Sequence, residues 1–130
     1  ILGGDTWEAP EFIQIGGKAV EGAVFSTHFT AEAPVTEMST KFLEAYKNKY
    51  NKDANAFSAL GFDAYMVILD AIERANSTDP EKIRDAIAST KDFVGATGNI
   101  TLDENGDAVK SAVIKKVSNG EFKYLTTVEP

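Results

Sequence analysis

Asn119-Gly120 constrains the fold of this chain more tightly than any other pair of residues. A two-residue type I′ turn needs positive φ at both central positions, and Asn followed by Gly tolerates that best. Strand-like runs flank the dipeptide, Ser111 to Val117 before it and Glu121 to Leu125 after it. The C-terminal end is therefore expected to be an antiparallel hairpin.

The residues before the hairpin alternate between strand and helix signals. Ile1-Leu2-Gly3-Gly4-Asp5 reads as the last residues of a buried strand running into a Gly-rich turn, so further residues of the same fold are expected upstream. Glu8 to Ile15 reads as a short helix stopped by Gly16-Gly17, and Gly22 to Phe25 as a buried strand. Val35, Met38, Phe42, Ala45 and Tyr46 recur at helical spacing, with Pro34 expected in the first turn of a helix that runs to Tyr50. A longer helix is expected from Phe57 to Ala75. Its stripe of Leu60, Ala64, Val67, Ile68, Ala71 and Ile72 suits packing on a sheet. Asp79-Pro80 gives an N-cap and first-turn proline for a third helix to about Ser89. Phe93 to Gly98 reads as a turn-rich connector. Ile100 and Leu102 then mark a short strand closed by the turn Asp103-Glu104-Asn105-Gly106-Asp107. This order is an α/β pattern, incomplete at its front.

Composition narrows the function classes. With 43% apolar and 25% charged residues, the chain has the makings of a folded core. A net charge of −7 repels phosphate backbones and anionic lipid heads, which argues against nucleic acid and against membrane-surface docking. No apolar window approaches a membrane span, so direct insertion is not expected. The absence of cysteine excludes disulfides, thiol catalysis and cysteine-bound zinc.

Few residues invite chemistry. His28 is the sole histidine, with Ser26 and Asp5 near it in sequence, but nothing resembles a nucleophile elbow and a structural role is expected. Asp103, Asn105 and Asp107 alternate like the start of a calcium loop. That loop would need Gly where Ala108 stands and Glu where Ile114 stands, so a solvated turn is expected and no metal. Gly3-Gly4 and Gly16-Gly17 lack the spacing of a phosphate-binding fingerprint, and no cofactor is expected. Two glycosylation-type triplets, at Asn76 and Asn99, are given no role. Asp5 follows the carboxyl end of an apolar strand, where ligands of open α/β sheets bind. It could meet a ligand cation there, or merely cap a helix opening near Glu8.

Several runs together, ILGGDTW, AVEGAVFSTHF, ALGFDAYMVILDAIERA, DPEKIRDAI, FVGATGNITLDENGD and VIKKVSNGEF, closely resemble the branched-chain amino-acid-binding proteins of ABC transporters. These are type I periplasmic binding proteins of the leucine/isoleucine/valine group, and the likeness covers essentially the whole chain. FVGATGNITLDENGD and ALGFDAY are its most specific parts. The family has two α/β lobes joined by three crossover strands, with the ligand between them. At about 100–200 residues per domain, two lobes need more chain than this.

The resemblance therefore implies the C-terminal part of the two-lobed type I fold, with parallel sheets, flanking helices and a final hairpin. Residues 1–27 would end a second-lobe segment, 28–108 would return through the first lobe, and 109–130 would form the last second-lobe hairpin. Crossovers would fall near Thr27–Phe29 and Ala108–Lys110, and the N-terminal remainder of both lobes would be missing. Asp5 matches the acidic residue that pairs with the ligand's α-ammonium. Phe57 matches the aromatic lining the ligand's side-chain pocket, and Trp7 would wall it.

The groups that hold the α-carboxylate belong upstream in this family. The implied function is non-enzymatic capture of a small, branched-chain aliphatic amino acid for an ABC permease. The implied location is periplasmic or at the cell surface, with a signal or lipoprotein anchor upstream. The alternatives are a sensor domain on the same fold, or a hydrolase using Asp5 and His28.

Overall fold

A computed structural model describes all 130 residues. The C-terminal hairpin forms where Asn119-Gly120 places it. Asn119 has φ 55° and Gly120 φ 73°, the positive pair that a type I′ turn requires. Its arms are β6 (Ala112–Ser118) and β7 (Glu121–Val128), so the second strand runs past Leu125. The register shifts between Ile114 and Lys115, which face Thr126 and Tyr124, leaving Leu125 as the extra residue of a bulge.

β6 also pairs antiparallel with β2 (Val24–Thr27), and β2 pairs in parallel with the short β1 (Leu2–Gly3). The result is a four-stranded sheet in the order β1-β2-β6-β7. Only its first pair is parallel. β2 lies two residues later than the apolar pattern suggests, because Gly22, at φ 80°, belongs to the preceding turn. At the other end, Ser26 and Thr27 pair with Ile114 and Val113.

The expected helix from Glu8 to Ile15 is replaced by shorter pieces. A 3₁₀ turn covers Asp5–Trp7, α1 covers Pro10–Gly16 with proline in its first turn, and a second 3₁₀ turn covers Gly17–Val20. Proline lacks an N–H to bond backward, so it opens this helix and does not continue one. Glu8 lies between the two pieces.

After Thr27 the chain leaves the four-stranded sheet for a helical layer, and it returns at Ala112. α2 (Glu37–Tyr50) is opened by a reciprocal capping box between Thr36 and Ser39, so Pro34 precedes the cap and is outside the first turn. α3 (Ala56–Ala75) uses the same device with Asn55 and Ser58. α4 (Pro80–Ala88) starts at Asp79, whose carboxylate accepts from the Glu81 N–H. Asn51 and Asn76 end α2 and α3 in the left-handed region.

Phe93 to Gly98, expected as a turn-rich connector, forms the first strand and the turn of a hairpin. β3 (Phe93–Gly95) turns through Ala96-Thr97 into β4 (Gly98–Leu102), and β5 (Ala108–Val109) completes a second antiparallel sheet. Between β4 and β5, the Asp103 carboxylate accepts from the Asn105 and Asp107 N–H groups. Those backbone bonds, from Asp107 foremost, hold its pKa below the usual carboxylate range.

Two small cores result. One gathers Phe29, Phe42, Ala56, Ala59 and Ala96, with Phe42 6.0 Å edge-on to Phe29 and 5.0 Å from Phe62. The other lies on the four-stranded sheet, where Phe25 meets Phe122 edge-on at 5.3 Å beside buried Val113 and Val117. α3 packs mainly on α4 and meets the second sheet at β3. Of its expected stripe, Val67 and Ala71 are buried, Leu60 and Ile72 half-buried, and Ala64 and Ile68 exposed.

Candidate functional site

Parallel pairing fixes where Asp5 stands. Leu2 and Gly3 sit opposite Val24 and Phe25, and the chain then turns through extended Gly4 into the 3₁₀ turn that Asp5 begins. The turn is closed by Trp7 N–H to Gly4 C=O at 3.2 Å and Glu8 N–H to Asp5 C=O at 3.0 Å. The Trp7 indole lies over Gly3, where any Cβ would collide with its ring, and stacks on Phe12 at 4.8 Å. Glycine at position 3 thus seats the indole, and the indole stiffens the turn carrying Asp5.

The Asp5 carboxylate caps no helix. The cap of α1 is Ala9, which offers no side-chain bond, and the Asp5 side chain remains 43% exposed. Its nearest basic neighbour is His28, on the segment leaving β2, whose Nε2 lies 3.4 Å from Asp5 Oδ2.

Beside this turn is a buried ion pair that sequence reasoning did not identify. Glu8 Oε1 lies 2.6 Å from Lys115 Nζ, and the Thr27 hydroxyl donates to Glu8 Oε2. The two charged side chains are only 6% and 9% exposed. A signal for it existed in strand parity. Val113, Lys115 and Val117 share the inward face of β6, and an inward lysine requires a carboxylate partner.

The pair lines a cleft of about 610 Å³. Pro10, Ile13 and Gln14 contribute from α1, and Asp53 and Ala54 from the loop before α3. Asp5 and Trp7 lie just upstream of the first set, and Phe57 just downstream of the second, but none of the three lines the cleft itself. Phe57 is the second residue of α3 and 48% exposed. No aromatic contact or ion pair joins it to Trp7 or Asp5.

The two most specific sequence runs meet at Asp63, on α3. Asp63 Oδ1 accepts from the Ala96 N–H at 2.6 Å, while Oδ2 accepts from the Thr97 N–H at 2.8 Å and its hydroxyl at 2.6 Å. A Cβ on Gly95 would stand 2.7 Å from that carboxyl, so only glycine permits the approach. Lys110 donates to the Thr97 hydroxyl. Burial lowers the Lys110 pKa from the usual lysine range, against an opposing pull from the Asp63 charge. Ser39 and Thr36 donate to the carbonyls of Ala96 and Gly95, tying α2 to the same turn. The sequence marked these residues by likeness only; the network supplies their physical role.

No three His, Cys, Asp or Glu side chains gather as a metal site, and no helix is long and apolar enough to cross a membrane. The family model described as periplasmic binding protein matches residues 2–121. The chain belongs to that family.

Among solved members, the leucine binding protein LivK of Thermotoga maritima is 52% identical, with a TM-score of 0.93 over all of this chain and 37% of its own. The branched-chain amino acid transporter substrate binding protein LivJ of Streptococcus pneumoniae, solved with isoleucine, is 30% identical with a TM-score of 0.88. It too is matched over all of this chain and 37% of its own. A leucine-, isoleucine-, valine-, threonine- and alanine-binding protein of Pseudomonas aeruginosa is 31% identical over 97 residues, covering 75% of this chain and 25% of that protein. This chain thus spans between a quarter and two-fifths of the length of these relatives.

Proposed function

We propose that this chain is the C-terminal part of a two-lobed receptor that captures a branched-chain aliphatic amino acid outside the cytoplasm and presents it to an ABC permease. Residues 1–27 and 109–130 belong to the second lobe and 28–108 to the first. The topology supports this division, because the chain leaves the four-stranded sheet after Thr27 and rejoins it at Ala112. The N-terminal remainder of both lobes, with its export signal or lipoprotein anchor, completes the receptor.

The observation that carries the reading is the Asp5 carboxylate. It is half-exposed, committed to no helix cap, and held at the end of a parallel strand by a turn stiffened by Trp7. A zwitterion leaving water needs both charges paired, since an uncompensated buried charge costs several kcal/mol. Asp5 supplies the partner of the α-ammonium through charge-assisted hydrogen bonds. Phe57 and Trp7 supply apolar surface, worth about 1.5–3 kcal/mol for a fully buried aliphatic side chain. The α-carboxylate is held by the upstream part. Relatives named for leucine, isoleucine and valine support the ligand class.

Capture makes and breaks no covalent bond; its output is a closed shape, reached by hinge motion about the crossovers. A hydrolase using His28 would need a hydroxyl nucleophile on that imidazole. Nε2 instead faces Asp5, no hydrogen bond joins the Ser26 hydroxyl to the imidazole, and the Thr27 hydroxyl is committed to Glu8.

Calorimetry on the full-length gene product tests the assignment. Leucine is expected to bind at one site, and Asp5→Ala to weaken it by about 2–5 kcal/mol, as loss of one partner of a desolvated charge pair does. Unchanged binding by Asp5→Ala would remove the ammonium role.

A further inference from the structure

We propose that His28 is a further residue of the ligand site, one that couples amino-acid capture to release of a proton. The proposal rests on the assignment of Asp5 as partner of the ligand's ammonium. His28 Nε2 lies 3.4 Å from Asp5 Oδ2, and both side chains are about two-fifths exposed, so each is open to water and to an incoming ligand. Imidazole is the one side chain whose ordinary titration falls near neutrality. Protonated, it is a cation placed on the carboxylate that the ligand's cation must use. Neutral, it cedes that carboxylate, and its free nitrogen lone pair can accept from the same ammonium. Both effects have one sign: bound ligand favours neutral His28.

The neighbouring charges do not blur this competition. The small space beside His28 is lined by uncharged residues, among them Thr30, Ser39, Thr97 and Ser111. Lys110 is engaged at Thr97, while Glu8 and Lys115 are engaged with each other. Asp5, on the adjoining 3₁₀ turn, is the ion-pair partner the imidazole faces, at 3.4 Å. The balanced exchange is therefore simple. An ammonium enters, imidazolium leaves the carboxylate, and its proton passes to solvent.

The experiment is titration of the full-length gene product with leucine between about pH 8 and pH 5, where the ligand keeps both charges. Leucine affinity is expected to fall by up to about tenfold per pH unit below the histidine range, the limit for one linked proton. In that range, calorimetry in buffers of different ionisation enthalpy should report release of up to one proton. His28→Gln should flatten the profile and abolish the release, whatever its affinity at pH 8 becomes. His28→Lys should bind weakly at every pH, because its charge persists.

A His28→Gln profile that still tracks the wild type, or no buffer dependence in the wild type, would overturn the proposal. Asp5→Asn separates the two readings. If it loses leucine while the His28 variants show no pH effect, Asp5 stands and His28 falls. If it binds leucine normally, the ammonium assignment falls first.

Discussion

Lys115 occupies a position that β6 otherwise gives to valine, and Glu8 crosses to meet it there at 2.6 Å. Removing one member of such a pair strands the other in a low-dielectric site, whereas replacing both with neutral groups of similar shape is often harmless. Lys115→Ala is therefore expected to cost about 3–5 kcal/mol in urea unfolding of the full-length gene product. Glu8→Gln combined with Lys115→Met should recover most of it, because Gln still accepts from the Thr27 hydroxyl. An additive double variant would mean that the two charges act independently. Asp5, three residues from Glu8, is the contrasting case. Its partner His28 is half-exposed, which under the proposed function suits a carboxylate that exchanges one cation for another.

At the scale of elements, the β3–β4 hairpin depends on α3 more than on its own two-residue turn. Asp63 accepts three bonds from Ala96 and Thr97, and Asn at that position has only one acceptor oxygen to offer. Asp63→Asn should therefore cost about 1.5–3 kcal/mol, the scale of a hydrogen bond to a charged group. Gly95→Ala should produce a similar loss by pushing the carboxyl away. Amide exchange should quicken at Ala96 and Thr97 in both variants and remain unchanged in β6–β7. Equal protection throughout would separate Asp63 from the turn.

The Asp63 network also explains what could be read in advance. Asn119-Gly120, Asp79-Pro80 and the stripe on α3 are local signals, and the elements they mark formed. Phe93 to Gly98 looked like a connector because its hairpin is fixed by a carboxylate more than thirty residues earlier. Glu8 looked helical because its partner, Lys115, is more than a hundred residues away. Of the proposed site, Asp5 is marked by its strand-end position, while His28 gains its proposed role only because the end of β2 sets it beside Asp5.

The whole molecule leaves apolar surface that its own folding does not cover. Phe57, Tyr65, Ile68 and Leu69 on α3 are exposed, as are Leu2 on the edge strand of the four-stranded sheet and Ile1 before it. β1 has a neighbour on one side only, and a parallel strand in an α/β protein is normally buried on both faces. Under the proposed function, the remaining polypeptide packs on these surfaces and supplies the groups that hold the ligand's carboxylate. The 130-residue chain alone should then bind leucine negligibly by calorimetry, since half of the zwitterion would stay unpaired. It should also bind a hydrophobic dye and unfold with a shallower urea dependence than the full-length product, because it buries less surface per residue. Adding the complementary N-terminal piece should quench the dye and restore leucine binding together. Tight leucine binding by the short chain alone would place both halves of the recognition within these residues and refute the division between the two parts.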